Sequence, residues 1–245
     1  MKNLLYFLII LLGHKNKAIA QQNLFNIPSS EITVKNKLFF QQQFNINENI
    51  QSNTNFCYGL GWNMELGFNI AGLQTNQKFT KLNINNSLNG EPLAPLGLIT
   101  FQKAFDINRL LTIGLGTQFG TNLSNQKKHV FADFTYLNSL LNLYKEKLKI
   151  NFGIFYGDKA VVGEKSELGY MYGFETNLIK KFHFVADHIA GKTPIGVNVV
   201  GFIFFVQPNL PLSFGYQIPN SKTNANTAYV FELTYVPKEH KNKII

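Results

Sequence analysis

Apolar and polar residues alternate one by one along many segments of this chain. In the segment 111–119, leucine, isoleucine and phenylalanine fall on one face, whereas glycine and glutamine fall on the other. Successive side chains of a β-strand point to opposite sides of the sheet, so this period of two predicts strands with one apolar and one polar surrounding. The same pattern recurs in 64–71, 148–156, 170–178 and 229–235.

The alternation predicts twelve strands, and their connections indicate how they are arranged. Many of them reach the roughly 9–11 residues that a tilted membrane-crossing strand needs, against about five or six in soluble proteins. Tight turns alternate with longer connections along the chain, which is typical of a transmembrane β-barrel with both termini at one end. The predicted strands are 37–46, 53–61, 63–73, 95–105, 109–120, 128–141, 146–157, 165–178, 180–190, 195–206, 209–217 and 225–236.

A soluble β-sandwich also alternates, so the composition of the two faces has to distinguish the alternatives. Only 15% of the residues are charged, against roughly 25% in soluble domains, and the polar faces carry mainly glycine, asparagine, glutamine and threonine. The apolar faces are rich in aromatic residues, as the chain has 23 Phe and 10 Tyr, and aromatic girdles mark membrane barrels. We therefore predict an all-β fold, an antiparallel up-and-down transmembrane β-barrel of about 12 strands. A soluble periplasmic β-sandwich that binds a ligand is the alternative.

The N-terminus has the pattern of a secretory signal peptide. Lys2 is followed by nine apolar residues, 4–12, and then by the small–x–small sequence 18–20, so we expect cleavage after Ala20. Nine helical residues span about 14 Å, too little for a bilayer core of roughly 30 Å. The stretch after the cleavage site alternates only weakly, which suits a periplasmic lead or, alternatively, a plug. The expected organisation is a signal peptide (1–20), a periplasmic N-terminal lead (21–36), a β-barrel (37–236) and a basic C-terminal tail (237–245).

The signal peptide, the strand alternation over 37–236 and the loop pattern together resemble the bacterial outer-membrane β-barrel superfamily. The resemblance consists of pattern and includes no diagnostic motif. It implies residence in the outer membrane of a Gram-negative cell, with outer-membrane lipid and lipopolysaccharide as partners. The chain departs from the pattern at its end, because many such proteins close with an aromatic residue that serves assembly. Here the last predicted strand is followed by Pro237 and the basic tail.

Charged and amide residues on the predicted inward faces form the candidate site. A basic residue in the hydrocarbon region costs roughly 2–4 kcal/mol, so the lumen is the expected place for charges. They either line a water-filled path or satisfy one another in a packed interior. The lumen-facing candidates are Glu65, Asn69, Asp133, Lys149, Glu175, His183, Asp187 and Glu232.

Catalytic and metal-binding arrangements are not indicated by the sequence. A lipid hydrolase needs a nucleophile beside a histidine, but Gly-x-Ser-x-Gly is absent, and His183 and Asp187 would lie about 13 Å apart along one strand. The single cysteine, Cys57, excludes a disulfide framework or a multi-cysteine metal cluster. The net charge is +9, yet Arg109 is the only arginine, which argues against nucleic-acid recognition. We expect no enzymatic activity, catalytic residues, metal, cofactor or nucleic-acid partner, and keep an outer-membrane lipid hydrolase as an alternative.

The first functional hypothesis is a narrow, porin-like pore or transport barrel for small solutes. The second is a structural or partner-docking barrel with an occluded lumen. The loop 74–94 is the longest connection and contains five asparagines, so we expect it to contact a ligand or cover the mouth. The sequence does not decide whether the lumen is open, and it leaves the oligomeric state undetermined.

Overall fold

The computed structural model describes residues 23–123, 129–163, 167–221, 223 and 225–237 of the chain. The expected signal peptide (1–20) and the tail beyond Pro237 lie outside these residues. The described part contains thirteen strands and one short helix, α1 (Lys159–Val162). The strands are β1 (Leu38–Ile46), β2 (Asn49–Gly61), β3 (Met64–Asn76), β4 (Leu82–Asn83), β5 (Leu96–Asp106), β6 (Leu111–Asn122), β7 (Phe131–Leu143), β8 (Leu148–Gly157), β9 (Glu167–Ile179), β10 (Phe182–Ile189), β11 (Val197–Gln207), β12 (Leu210–Pro219) and β13 (Ala228–Tyr235).

Twelve of these strands close into one antiparallel barrel. Each pairs with the next along the chain, except that β3 pairs with β5 beyond the two-residue strand β4. The barrel closes where β1 pairs with β13, with Phe40 opposite Tyr235 and Ile46 opposite Tyr229. The predicted 12-stranded antiparallel barrel is confirmed, and the observed strand ends differ from the predicted ones by at most four residues. Only the short strand β4 was not predicted.

The outer face of the barrel is apolar and aromatic around its girth. Phe152, Tyr172, Phe202 and Phe214 are all exposed on it, and neighbouring rings pair across strands, as Phe182 and Phe202 do at 5.0 Å between centroids. A closed sheet has no free edge, and an apolar exterior suits a lipid surrounding, so this is the construction of a membrane barrel and not of a soluble sandwich. Within the described residues, no helix is long and apolar enough to cross a membrane.

The two ends of the barrel differ in their connections. One end, the turn end, carries tight turns such as 62–63 and 180–181, together with the start of β1 and the end of β13. The other end, the loop end, carries the longer connections, including 77–95 and 190–196. At the loop end, Leu93 donates its backbone N–H to the carbonyl of Ala160 in α1 and packs in a small apolar cluster there. The long loop is therefore tied to the connection between β8 and β9, which lies four strands further around the barrel.

The interior of the barrel contains the chain's own N-terminal segment. Leu24, Phe25 and Ile27 are almost fully buried and join a core cluster with inward side chains of several strands, among them Phe155 and Val199. The segment then continues to the turn end, where the Lys37 N–H binds the Val34 carbonyl before β1 begins. We call residues 24–34 the plug. The prediction of a periplasmic lead over 21–36 is therefore wrong for residues 24–34, because their contacts place them inside the lumen, as the alternative of a plug implies.

Candidate functional site

Acidic side chains of the wall bind the backbone of the plug at both of its ends. Asp187 Oδ2 accepts the Asn26 backbone N–H at 2.6 Å, with the N–H groups of Phe25 and Ile27 also bonded to this carboxylate. Near the turn end, Glu65 Oε2 accepts from both the backbone N–H and the hydroxyl of Thr33, each at 2.8 Å. Hydrogen bonds to charged groups are stronger than neutral ones, contributing about 1.5–3 kcal/mol each, so these carboxylates fix the course of the plug.

Amide side chains clamp the middle of the plug. The Pro28 carbonyl accepts from Asn138 Nδ2 and Asn151 Nδ2, both at 2.7 Å. Gln102 Nε2 donates to the Ser29 carbonyl at 2.8 Å, and the Ser30 hydroxyl binds Asn138 at 2.8 Å. Proline breaks any regular backbone pairing, so these wall amides satisfy carbonyls that the plug cannot satisfy within itself.

A buried ion pair joins the lower plug to the wall. Lys149 Nζ lies 2.8 Å from Glu31 Oε1, and Lys149 is 6% exposed. On the next strands, Glu175 Oε1 is paired with His183 Nδ1, and the His183 ring packs against Phe205 at 4.7 Å between centroids. The arrangement pairs each of these acids with a basic group, which removes the cost of an isolated buried charge.

Phe25 anchors the plug at a place where the wall has no side chains. An added Cβ at either Gly201 or Gly215 would lie 2.8 Å from Phe25 Cζ, so only glycine at these two positions leaves room for the ring. Sequence reasoning missed Phe25 as a functional residue. The sequence signal for this contact was a glycine, Gly201 or Gly215, in each of two apolar strands, at a position that the alternation assigns to the inner face.

Seven of the eight predicted site residues lie on the inner face of the barrel. Glu65, Lys149 and Asp187 contact the plug directly, as described above. Glu175 and His183 pair with each other, Glu232 is bonded to Ser213, and Asn69 lines a cavity near the loop end. The lower lumen is thus a packed interior, whereas its upper part encloses space.

The prediction that Asp133 faces the lumen is wrong. Asp133 lies opposite Phe119 on the outward face of β7 and is the third residue from the loop-end limit of that strand. Its Oδ1 accepts from the hydroxyls of Thr117 at 3.3 Å and Thr135 at 3.1 Å. A charge is tolerated on the outer face near the membrane interface, where its cost falls, and the two hydroxyls replace part of its hydration.

The plug divides the lumen into two cavities. The upper cavity, at the loop end, has a volume of about 620 Å³, and plug residues Asn23, Phe25, Asn26 and Pro28 line it. The lower cavity, at the turn end, has a volume of about 250 Å³ and is lined from the plug by Ser30, Glu31 and Ile32. The upper cavity reaches down beside the plug as far as Glu65, and the two spaces share no lining residue, so the plug and its anchors lie between them.

The upper cavity has one wall of amides. Seventeen of its lining residues are Asn or Gln, and the charged ones are Glu65 and Glu91. Partial burial raises the pKa of the Glu91 carboxyl, which lies in the long loop. The amides are concentrated on β1, the adjoining hairpin, β2 and β3, and they are Gln41, Gln43, Asn45, Asn47, Gln51, Asn53, Asn55, Asn69 and Gln74.

The opposite wall of this cavity is largely apolar. Leu93 contributes from the end of the long loop that is bonded to α1, Val161 contributes from α1, and Ile195 contributes from the connection before β11. The long loop also supplies Asn85 and Asn89 to the lining of the cavity. The upper cavity is therefore two-sided, with hydrogen-bonding groups facing hydrocarbon across it.

A closed antiparallel barrel with an apolar exterior is the architecture of membrane β-barrels, and solved structures similar to this chain share it. A KdgM porin, in complex with disordered oligogalacturonate, is 10% identical, with a TM-score of 0.56 over 82% of this chain and 99% of that chain. A NanC porin is 9% identical, with a TM-score of 0.50 over 83% of this chain and all of that one (100%). The chain shares the closed-barrel fold of these two porins, and at these identities the likeness concerns the fold alone.

The other comparisons are less informative. Outer membrane phospholipase A from Escherichia coli is 11% identical and covers 93% of this chain, but its TM-score is 0.47, which is too low to bear on activity. No protein-family model matches the chain, and no curated protein matches it significantly. The plug and the cavities are therefore the features of the molecule that bear on its function.

Proposed function

We propose that the protein is a plugged outer-membrane pore that admits small polar solutes from outside and passes them when the plug moves. The observation that carries this proposal is the plug itself, which forms the floor of an open polar cavity. A barrel needed only as a membrane scaffold gains nothing from a cavity of about 620 Å³ with a polar wall. In this proposal the loop end faces the exterior and the turn end faces the periplasm, after export and removal of residues 1–20.

Similarity to porins supports a passage role. One of the two porins that share the fold is described in complex with an oligogalacturonate, so a barrel of this architecture does accommodate a soluble saccharide. Twelve strands enclose more space than the eight that side chains alone can fill. In this chain the plug occupies the extra space, so passage requires that it be displaced.

A second candidate function is a structural barrel whose lumen stays occluded. The specific observation in its favour is the density of the plug's anchors, which include Asp187, Glu65, Lys149 and the buried Phe25. The lipid-hydrolase alternative is less well supported, because His183 is paired with Glu175 in the lumen and Ser213 is bonded to Glu232. Both groups face away from the lipid that such an enzyme would attack.

Solute uptake by proteoliposomes tests the proposal. Vesicles that contain the exported protein, shown to be folded by a band that shifts on boiling, are transferred into arabinose, and their swelling is recorded. We expect swelling clearly faster than that of protein-free vesicles, because the plug is displaced for part of the time. Swelling at the protein-free rate would reject the pore and favour the occluded structural barrel.

A further inference from the structure

We infer that the upper cavity selects uncharged, polyhydroxylated solutes, such as short neutral sugars, over anionic ones. This inference rests on the proposed function, because it names the class of solute for the same pore. Three features of the cavity carry it: the chemistry of the amide wall, the charges of the lining residues, and the apolar wall opposite.

The amide wall is suited to hydroxyl groups. Each Asn or Gln side chain offers both a donor and an acceptor, and a sugar hydroxyl offers both as well. An array of amides on adjacent strands therefore forms hydrogen bonds with a polyol without requiring a charge on either partner. Gln51, Asn53 and Asn55 on β2 line the cavity at the spacing of alternate strand residues. Beside them on β1, Gln43 donates to Asn45 at 2.9 Å, which holds this part of the wall in place.

Three amide atoms of this wall and of the adjoining plug have no hydrogen-bond partner within the described part of the chain. They are Asn26 Nδ2, Asn55 Oδ1 and Asn69 Oδ1. For two of them the orientation of the amide is set by the bond on its other side, since Asn26 Oδ1 accepts from Gln43 and Asn69 Nδ2 donates to Gln118. Each of these atoms has less than 1 Å² of accessible surface, so they lie behind the cavity surface, and more exposed amides such as Gln51 and Asn53 face a solute.

The charges of the lining residues disfavour anions. Among the described residues that line the cavity, Glu65 and Glu91 are acidic and none is lysine or arginine. A carboxylate-bearing sugar would lose hydration here and meet only like charge. A cationic solute gains little, because the Glu65 carboxylate already binds Thr33 of the plug.

The apolar wall and the size of the cavity suit a sugar ring. Leu93, Val161 and Ile195 present hydrocarbon to the face opposite the amides, and a pyranose ring has C–H groups on its faces and hydroxyls on its edge. The volume of about 620 Å³ falls within the roughly 300–1,000 Å³ of small-molecule sites. A ring held between the two walls satisfies both surfaces at once.

Calorimetric titration of the detergent-solubilised protein tests the inference with two matched probes. Maltotriose and trigalacturonate are both linear sugar trimers, and only the second carries carboxylates. We expect maltotriose to bind at least about tenfold more tightly than trigalacturonate, a difference of about 1.4 kcal/mol. Equal or tighter binding of trigalacturonate, or no binding of maltotriose, would overturn the inference.

Two variants locate the binding to the amide wall. Asn55→Leu combined with Asn69→Leu replaces two amides that line the cavity by hydrocarbon, and we expect it to weaken maltotriose binding about tenfold. Gln42→Leu is the matched control, because Gln42 lies on the outward face, where it accepts from Thr54 at 2.6 Å. Unchanged affinity in the double variant, or an equal loss in the control, contradicts the proposed site.

Failure of this inference is distinguishable from failure of the proposed function. Vesicles that take up arabinose while the protein does not bind maltotriose would overturn the solute class and leave the pore standing. A protein that binds maltotriose without any uptake would overturn passage and retain the cavity as a sugar site.

Discussion

Deletion of residues 24–33 is expected to convert the protein into an open channel. The deleted segment separates the two cavities, so its removal joins them into one continuous lumen. The diameter of a 12-stranded barrel lies between that of eight-stranded barrels, which side chains fill, and that of 16-stranded porins, which enclose an aqueous channel. We therefore expect the deletion to raise the mean conductance in planar bilayers at least about tenfold. The backbone pairing of the barrel does not involve these residues and should hold the wall together.

Two controls accompany this deletion. A gel on which the unboiled band migrates as a folded barrel shows that the variant has assembled. Replacement of 24–33 by a glycine–serine sequence of equal length tests whether the specific contacts, and not the mere presence of chain, close the lumen. A folded deletion variant that conducts no more than the full protein would contradict the role of the plug.

Phe25→Ala is expected to have the second-largest effect, by shifting the plug toward its displaced state. The ring is buried against Gly201 and Gly215, and loss of a buried phenylalanine side chain costs about 3 kcal/mol or more. If this loss acts only on the plugged state, the ratio of open to closed channels rises on the order of 100-fold. Single-channel recording of the open probability measures the ratio.

The matched control for Phe25→Ala is Phe214→Ala. Phe214 is also a phenylalanine beside Gly215, but its ring lies on the outward face and packs on Phe231 at 5.3 Å between centroids. We expect this variant to lower the thermal stability of the barrel without changing the open probability. Equal open probabilities in the two variants would show that the Phe25 contact does not hold the channel closed.

The strands were predictable because their information is local. A period of two is visible within ten residues, and burial on one face and exposure on the other enforce it in every strand of the barrel. The inward direction of His183 and Asp187 followed from the same alternation. For Asp133, the alternation fixed which residues share a face but not which face was the outer one. Phe131 and Asp133 share a face, and the phenylalanine favours the lipid side whereas the aspartate favours the lumen.

The plug and the cavities were not predictable in the same way. The contact of Phe25 with Gly201 and Gly215 joins positions about 180 residues apart, and no local pattern records it. The weak alternation of the N-terminal stretch showed only that it is not a strand of the sheet. The amide-rich polar faces of β1 and β2 were evident in the sequence, but their function depends on the plug beneath them.

Solute passage with the plug reversibly locked to the wall tests the account most directly. A Cβ at Gly114 would lie 3.2 Å from Ser30 Cα, so the thiols of Ser30→Cys and Gly114→Cys come within reach of a disulfide bond once the Asn138 side chain moves aside. The background substitution Cys57→Ser removes the native thiol. We predict arabinose uptake at the protein-free rate when the pair is oxidised, and recovery to the rate of Cys57→Ser alone when it is reduced. Equal uptake in both redox states would contradict the claim that solutes pass only when the plug moves.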